Sequence, residues 1–470
     1  MTRFIGRKDE LNTLEALYSK NDFQMLVLYG RRRVGKSTLL TEFLRGRPSV
    51  FYTAIEDTLE KNLLLFSRRI MENLTDDQGS MSFTTFEDAC AFISKRSEQQ
   101  RIVVVIDEFP YLAEPNPSTL SILQNIIDSD WQHRNIFLII SGSSISFMEK
   151  KVLSEKSPLF GRRTAQLQLQ PFSYQEAAEF VPDYSAEDKA ICYGVTGGIA
   201  KYLSLIDPTR NIDDNIVSLY FSRSGYLYEE PRNLLTQEFR NVASYSAVIG
   251  AAASGKVRLQ DIADESHMSA PMASVLIQNL ITAGIVQRRT AITEENNKKK
   301  IQYVLSDGMF RFWYRFIPDA IDFIEMGRGQ IYYQKYVKPR LDEYMGGIFE
   351  SMCRSYTLML SIRGKLNADI MRVGTWWGTN PARREQTDID VVGIDPMDHT
   401  AVLGECKFKN ELLDKTVYDS LKDRDGLIDS HYRTVQFLLF SKSGFSDWLL
   451  DHCIQNGVLL ISLDDLYQTA

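Results

Sequence analysis

Residues 24–38 read Gln24-Met-Leu-Val-Leu-Tyr29-Gly30-Arg31-Arg32-Arg33-Val34-Gly35-Lys36-Ser37-Thr38. An apolar run ends at Tyr29, a glycine-bounded loop follows, and a helical stretch continues from Thr38 to Leu44. The pattern G-x-x-x-x-G-K-[ST], placed between a strand and a helix, predicts a phosphate-binding loop. Glycines let backbone N–H groups close around phosphate oxygens, and the helix N-terminus adds partial positive charge. Gly30, Arg31, Arg32, Arg33, Val34, Gly35, Lys36, Ser37 and Thr38 are therefore the candidate nucleotide cradle. In it Lys36 reaches the β- and γ-phosphates and the Ser37 hydroxyl ligates Mg²⁺. ATP and Mg²⁺ are the expected cofactors.

Outward from this loop, QMLVLYG (24–30), SVFYTAI (49–55), RIVVVIDEF (101–109) and NIFLIISGSS (135–144) alternate with helical stretches. Continuous apolar runs of this kind predict a parallel sheet covered on both faces. The third run ends in Asp107-Glu108. Asp107 at the strand tip is placed to hold magnesium, and Glu108 to polarise an attacking water. The adjacent acids suit hydrolysis better than transfer to a second substrate, which needs an acceptor pocket. The fourth run ends in Ser141-Gly-Ser143-Ser144, where a hydroxyl can orient the water or sense the γ-phosphate. Arg162 and Arg163 follow a loop; either can serve as an arginine finger, in cis or from a neighbouring subunit, or as a phosphate-positioning surface.

The 470 residues carry 54 Lys+Arg against 61 Asp+Glu, a formal charge of −7. That excludes a uniformly basic nucleic-acid coat but leaves room for a local basic groove. The five cysteines form no CxxC pair, and the histidines have no metal-ligand spacing. No apolar run is long enough to span a bilayer, and the charged N-terminus is no signal peptide, so a soluble cytoplasmic protein is expected.

Phe4-Ile5-Gly6-Arg7 with Glu10-Leu11, the phosphate loop, Asp107-Glu108-Phe-Pro-Tyr-Leu, Gly142-Ser-Ser, Pro158-Leu-Phe-Gly161-Arg162 and Pro171-Phe-Ser-Tyr-Gln-Glu176 together resemble the prokaryotic AAA+/STAND-related ATPases. The resemblance covers most of residues 1–320. It implies that Ile5 and Gly6 lie near the adenine. Thr196-Gly197-Gly198-Ile-Ala200-Lys-Tyr-Leu resembles the family's Gly-Gly-x-Pro-x-Tyr-Leu segment, with Ala200 in place of the proline.

Residues 240–310 look like a winged helix. Leu259–Ala263 and Ala270–Ala283 are the expected helices, and Ile285–Arg289 and Ile301–Leu305 the expected wing strands. Between Ser266 and Gln287 there is no Lys or Arg, so sequence-specific reading by the second helix is not supported. The cations Arg288, Arg289, Lys298, Lys299 and Lys300 sit in the wing instead. Backbone contact with DNA and packing or protein contact both remain open for this module. The aromatic stretch 310–316 is expected in the core.

Farther on, Asp388-Ile-Asp390 and Gly404-Glu405-Cys406-Lys407 read as paired strands. Residues i and i+2 share a face, so Glu405 and Lys407 point the same way and Asp390 meets them from the neighbouring strand. Two carboxylates can hold a divalent metal, and an ammonium can orient or deprotonate water, the equipment for phosphodiester hydrolysis. Glu350 on an upstream helix is a further metal-shell candidate. The arrangement resembles the PD-(D/E)XK nuclease fold, which implies catalytic roles for Asp390, Glu405 and Lys407. An active site, a scaffold that has lost its chemistry and a plain charged hairpin remain open.

The expected fold class is α/β: a parallel-sheet P-loop NTPase core (1–165), a helical lid (166–235), a winged helix (236–320) and a restriction-endonuclease-like domain (335–470). Candidate partners are DNA, engaged without sequence specificity through the wing and the last domain, a protein partner, and a second copy of the chain; no membrane is expected.

Overall fold

Four largely apolar runs form most of the first sheet in the computed structural model, which describes residues 4–75 and 82–468. These are β1 (Gln24–Tyr29), β2 (Ser49–Thr53), β3 (Ile102–Asp107) and β4 (Ile136–Gly142), joined by β5 (Ala165–Gln168). Every pairing is parallel, in the order β2-β3-β4-β1-β5. Each residue of β1, β3 and β4 is buried, as a strand covered on both faces must be. Strand β4 lies between β1 and β3. The carboxyl ends of all three thereby fall on one edge of the sheet, where open α/β folds place ligands.

Strand β5 lies beyond the boundary expected at residue 165. Its sequence, Ala-Gln-Leu-Gln, alternates between half-buried and exposed positions along one edge. The compact unit containing this sheet runs to Phe172 and also includes Ile199–Lys201.

The second unit comprises Ser173–Gly198 and the chain from Tyr202 onward. Its early part is helical. Helices Val242–Ala253, Leu259–Glu265 and Ala270–Thr282 are followed by an antiparallel ribbon of β6 (Val286–Arg289) and β7 (Gln302–Leu305). The aromatic helix Gly308–Phe316 buries Phe310, Phe312 and Phe316, in keeping with a core role.

Strands β8 (Arg372–Asn380), β9 (Glu385–Asp395) and β10 (Thr400–Lys407) then form an antiparallel meander. Strands β11 (Arg433–Ser441) and β12 (Leu459–Ser462) extend it in parallel, in the order β12-β11-β10-β9-β8. Helix Leu341–Ile362 packs across β8, β9 and β10. Among the described residues no helix is long and apolar enough to cross a membrane.

Candidate functional site

The loop between β1 and the helix Lys36–Phe43 is shaped by positions where a side chain cannot go. Gly30 has φ +154°, and a Cβ there would lie 2.4 Å from the Leu169 carbonyl oxygen. Gly35 caps the helix at φ +99°. Arg33, between them, takes φ +70°, and its carbonyl accepts from the Lys201 N–H at 3.1 Å. Lys36 is buried, and its Nζ donates to the carbonyls of Gly30 (2.9 Å) and Arg31 (3.3 Å). Val34 is buried, whereas Ser37 and Thr38 face solvent at the mouth of the loop. Arg32 donates to the Tyr111 hydroxyl at 2.9 Å, tying the loop to the helix after Glu108.

Across the sheet edge, the Ser37 hydroxyl donates to Asp107 Oδ2 at 2.8 Å. Asp107 is only 3% exposed, and its Oδ1 is buried without a hydrogen-bond partner. A buried carboxylate oxygen left unmatched is costly. Beside a serine hydroxyl it is the donor set a hard divalent cation accepts, so the residues present fit magnesium. Glu108 takes φ +50°, a strained setting for a non-glycine residue of the kind that gathers at functional sites. Its Oε2 accepts from Ser143 N (3.2 Å) and Ser143 Oγ (2.7 Å). The serine anticipated at the end of β4 thus holds the acid anticipated as the base.

Ile5 and Gly6 lie half-buried at the start of the described chain. The residue that sequence reasoning passed over is the next one. Arg7 is buried, donates to the Val34 carbonyl (3.0 Å) and to Glu10 (3.0 Å), and places its guanidinium 3.9 Å from the Phe172 ring centre. It couples the N-terminal Gly6-Arg7 turn to the phosphate loop. Only its place beside Gly6 could have signalled this.

Arg162, a candidate finger or phosphate-positioning residue, pairs within the chain. It forms a two-pronged pair with Asp128 at 3.0 and 2.8 Å, and Arg163 donates to the Leu153 carbonyl. A carboxylate that matches the guanidinium fork supplies a partner within the chain.

A second cluster assembles on β9 and β10. The Cys406 N–H donates to Asp390 Oδ2 at 2.9 Å, and Lys407 Nζ donates to Glu405 Oε1 at 2.6 Å. Asp390 thus meets β10 at Cys406, while Glu405 and Lys407 touch each other. Burial, then the Glu405 and Glu350 charges, push the Asp390 carboxyl up to about 7. Burial works against the Lys407 ammonium, but Glu405 and Asp390 overcome it and hold its pKa above the ordinary value. Lys407 therefore stays charged: it can balance charge or orient water, but it is not placed to remove a proton.

The expected metal set of Glu350, Asp390 and Glu405 requires correction. Among the described residues no three His, Cys, Asp or Glu groups converge in a metal-holding arrangement. Glu350 lies 3.4 Å from Arg354, which also donates to the Asp390 carbonyl. Arg424 Nη2 sits 2.8 Å from Glu405 Oε2, a charge contact whose geometry makes no hydrogen bond. Cations of the chain itself already compensate these acids, so the arrangement does not fit a divalent ion. Arg354 comes from helix Leu341–Ile362 and Arg424 from the turn after helix Lys415–Lys422, and nothing in the Glu-x-Lys spacing announces them.

Residues 4–206 match a family described as an ATPase domain predominantly from Archaea. Residues 313–420 match a family described as archaeal and bacterial proteins of unknown function. An uncharacterized protein of Methanocaldococcus jannaschii is 30% identical over 423 residues, 90% of this chain and 89% of the relative. Among solved structures, a Walker-type ATPase of Pyrococcus abyssi aligns with TM-score 0.49 at 19% identity, over 66% of this chain and 96% of that one. The Aeropyrum pernix ORC2 protein, solved in ADPNP–ADP complexes, aligns with TM-score 0.44 at 14% identity, over 70% and 96%.

Proposed function

This chain belongs to one family with its uncharacterized Methanocaldococcus jannaschii relative, its residues 4–206 match an ATPase domain predominantly from Archaea, and from that premise we propose an ATP-hydrolysing switch whose nucleotide state governs a nucleic-acid-directed C-terminal domain. The observation that carries the ATPase reading is the Ser37–Asp107 pair at 2.8 Å, with the second Asp107 oxygen buried and unmatched. Ser37 and Asp107 would hold magnesium, which when bound neutralises charge on the phosphates. Lys36 turns from its loop carbonyls to the β- and γ-phosphates, and the loop N–H groups enclose them. Glu108, aimed by Ser143, orients a water against the γ-phosphate and takes its proton. Ile5 and Gly6 border the base, with Arg7 fixing that turn to Val34.

Three helices followed by the β6–β7 ribbon support reading residues 242–305 as a winged helix. Arg288, Lys298 and Lys299 are exposed and available to a phosphate backbone. Asp390, Glu405 and Lys407 on adjoining strands behind helix Leu341–Ile362 support the resemblance to the PD-(D/E)XK fold. Whether that pocket cuts a phosphodiester is tested by plasmid integrity with Mg²⁺ or Mn²⁺, with and without ATP. Because Arg354, Arg424 and Lys407 already compensate the acids there, an intact plasmid throughout is the expected outcome, and cleavage lost in Asp390→Asn would overturn it.

One observation favours a second reading, a switch that senses a protein partner through an inactive C-terminal domain. The helix Ala270–Thr282 presents Met272 (44% exposed) and Val275 (61% exposed) on a face with no charged residue. Apolar exposure without cations suits a protein contact better than a DNA groove. ATP turnover measured with and without DNA separates the two. Stimulation by DNA supports the first reading, and indifference to DNA at low salt supports the second.

A further inference from the structure

The β8 edge of the C-terminal sheet is already occupied. Ala291 and Ile292, in the loop between β6 and β7, are buried within the core of that sheet. The Ile292 N–H donates to the Thr375 carbonyl at 2.9 Å, and Lys300 Nζ to the Trp377 carbonyl at 2.9 Å. The Arg289 guanidinium sits 5.3 Å from the Trp377 ring centre. The β6–β7 ribbon thus turns two of its cations against β8, the outermost strand. It leaves open the end of the sheet where β8 begins, β9 finishes and β10 starts.

That end is apolar. Leu358 and Ile362 stand one turn apart on helix Leu341–Ile362. Ser361 Oγ accepts from the Ile370 N–H at 2.7 Å, which holds the segment before β8 against the last turn of this helix. Met371, the next residue, donates its N–H to the Ile394 carbonyl at 3.1 Å, and Met397 donates its own to Asp395 Oδ1 at 2.8 Å in the β9–β10 turn. The helix end, the segment before β8 and that turn therefore adjoin. On them Ile362 (79%), Met397 (74%), Met371 (58%) and Leu358 (38%) are all exposed. Large apolar side chains grouped in this way mark a contact surface, whereas scattered ones do not.

The charges around this surface select the partner. Arg372 is held by Glu295. Arg363, Lys365 and Arg433 are exposed cations, and Asp369 and Asp398 exposed acids, that enter no ion pair among the described residues. Arg433 belongs here because its N–H donates to the His399 carbonyl at 2.9 Å. A purely acidic partner would leave the two acids facing like charge, as would an anionic membrane, and a purely basic partner would do the same to the three cations. A second copy related by a twofold axis can match both signs at once, since the same patch meets itself and cations of each copy face acids of the other.

We propose that the end of the C-terminal sheet carrying Leu358, Ile362, Met371 and Met397 is the face through which two copies of this chain associate about a twofold axis. The face contains no residue of the nucleotide site, so its failure as an interface leaves the ATPase reading standing.

Sedimentation of the full-length chain over a range of concentrations reads the outcome. Wild type is expected to reach twice the mass of one chain. Ile362→Ser combined with Met371→Ser is expected to raise the dissociation constant at least about a hundredfold, roughly tenfold for each apolar anchor lost. Met326→Ser, at a methionine 72% exposed outside this face, is expected to change nothing. Charge reversal supplies a second readout. A chain with Arg363→Glu, Lys365→Glu and Arg433→Glu, and one with Asp369→Lys and Asp398→Lys, should each sediment as a monomer, whereas their equimolar mixture should sediment as a dimer. Every substituted position is exposed, and unchanged far-ultraviolet dichroism checks that each variant folds. A wild type monomeric at every concentration, a dimer indifferent to Ile362→Ser and Met371→Ser, or a mixture that stays monomeric overturns the proposal. A monomeric wild type that cosediments with phosphatidylcholine–phosphatidylglycerol vesicles, and loses this with Ile362→Ser and Met371→Ser, overturns it in favour of a membrane surface.

Discussion

At the scale of single residues, the nucleotide site turns on Lys36, Asp107 and Glu108, whose roles separate experimentally. On the reading proposed above, Lys36→Ala removes the cation that would reach the β- and γ-phosphates, and ATP affinity measured by calorimetry should fall at least about a hundredfold. Glu108→Gln keeps the shape and the Ser143 contact but cannot accept a proton. Binding should persist while turnover drops by roughly 10²–10⁴; turnover equal to wild type would remove Glu108 from the base role. A different residue governs pH behaviour. Asp390 titrates near 7 in the folded chain against 3.8 ordinarily, because it is buried and faces Glu405 and Glu350. Between those values the folded state holds a proton that the unfolded state has released, so this group's contribution is complete below about pH 4 and lost as pH rises through 7. Asp390→Asn, which can still accept from the Cys406 N–H, should therefore melt higher than wild type at pH 8. The difference, at most on the order of a few kcal/mol, should vanish at pH 4. A melting difference that grows toward low pH would contradict this assignment.

At the scale of elements, legibility followed burial. Strands β1, β3 and β4 were readable because a strand covered on both faces has to be an unbroken apolar run, and β2 because its buried Val50 and Tyr52 alternate along the sheet edge. The phosphate loop was readable because its chemistry fixes its glycines. Gly30→Ala tests that necessity: its Cβ would meet the Leu169 carbonyl at 2.4 Å. The chain should keep its far-ultraviolet dichroism yet lose nucleotide binding as β5 and the loop are forced apart. Strand β5 escaped notice because four alternating edge residues carry no periodic signal. The ribbon β6–β7 was visible in the sequence, but its docking was not, since no local pattern marks which loop enters a distant core. Arg289 and Lys300 therefore read as solvent-facing cations, although the ribbon carries them against β8. Ile292 fixes that docking. Ile292→Asp would bury an unpaired carboxylate at a position 4% exposed, costing about 3 kcal/mol or more. Limited proteolysis should then cut within residues 290–300, where wild type resists; equal resistance would mean the docking is not held by this side chain.

At the scale of the whole molecule, a net charge of −7 sets the terms for any nucleic acid. The overall field disfavours a polyanion, so contact must be local and steeply dependent on salt. With Arg289 and Lys300 turned inward, the cations of the β6–β7 segment left at the surface are Arg288, Lys298 and Lys299. Replacing these three with Ala should weaken duplex DNA binding uniformly across sequences. It should also flatten the plot of log affinity against log salt by roughly 0.9 for each phosphate that is no longer neutralised. Stability should barely change, because all three side chains are exposed. Fluorescence anisotropy with two unrelated duplexes at several salt concentrations reads both quantities. A changed sequence preference would mean that bases are being read, against the absence of Lys and Arg from helix Ala270–Thr282. An unchanged salt slope would remove the β6–β7 segment from the proposed DNA contact and leave the uncharged face of Met272 and Val275 as the better-supported partner surface.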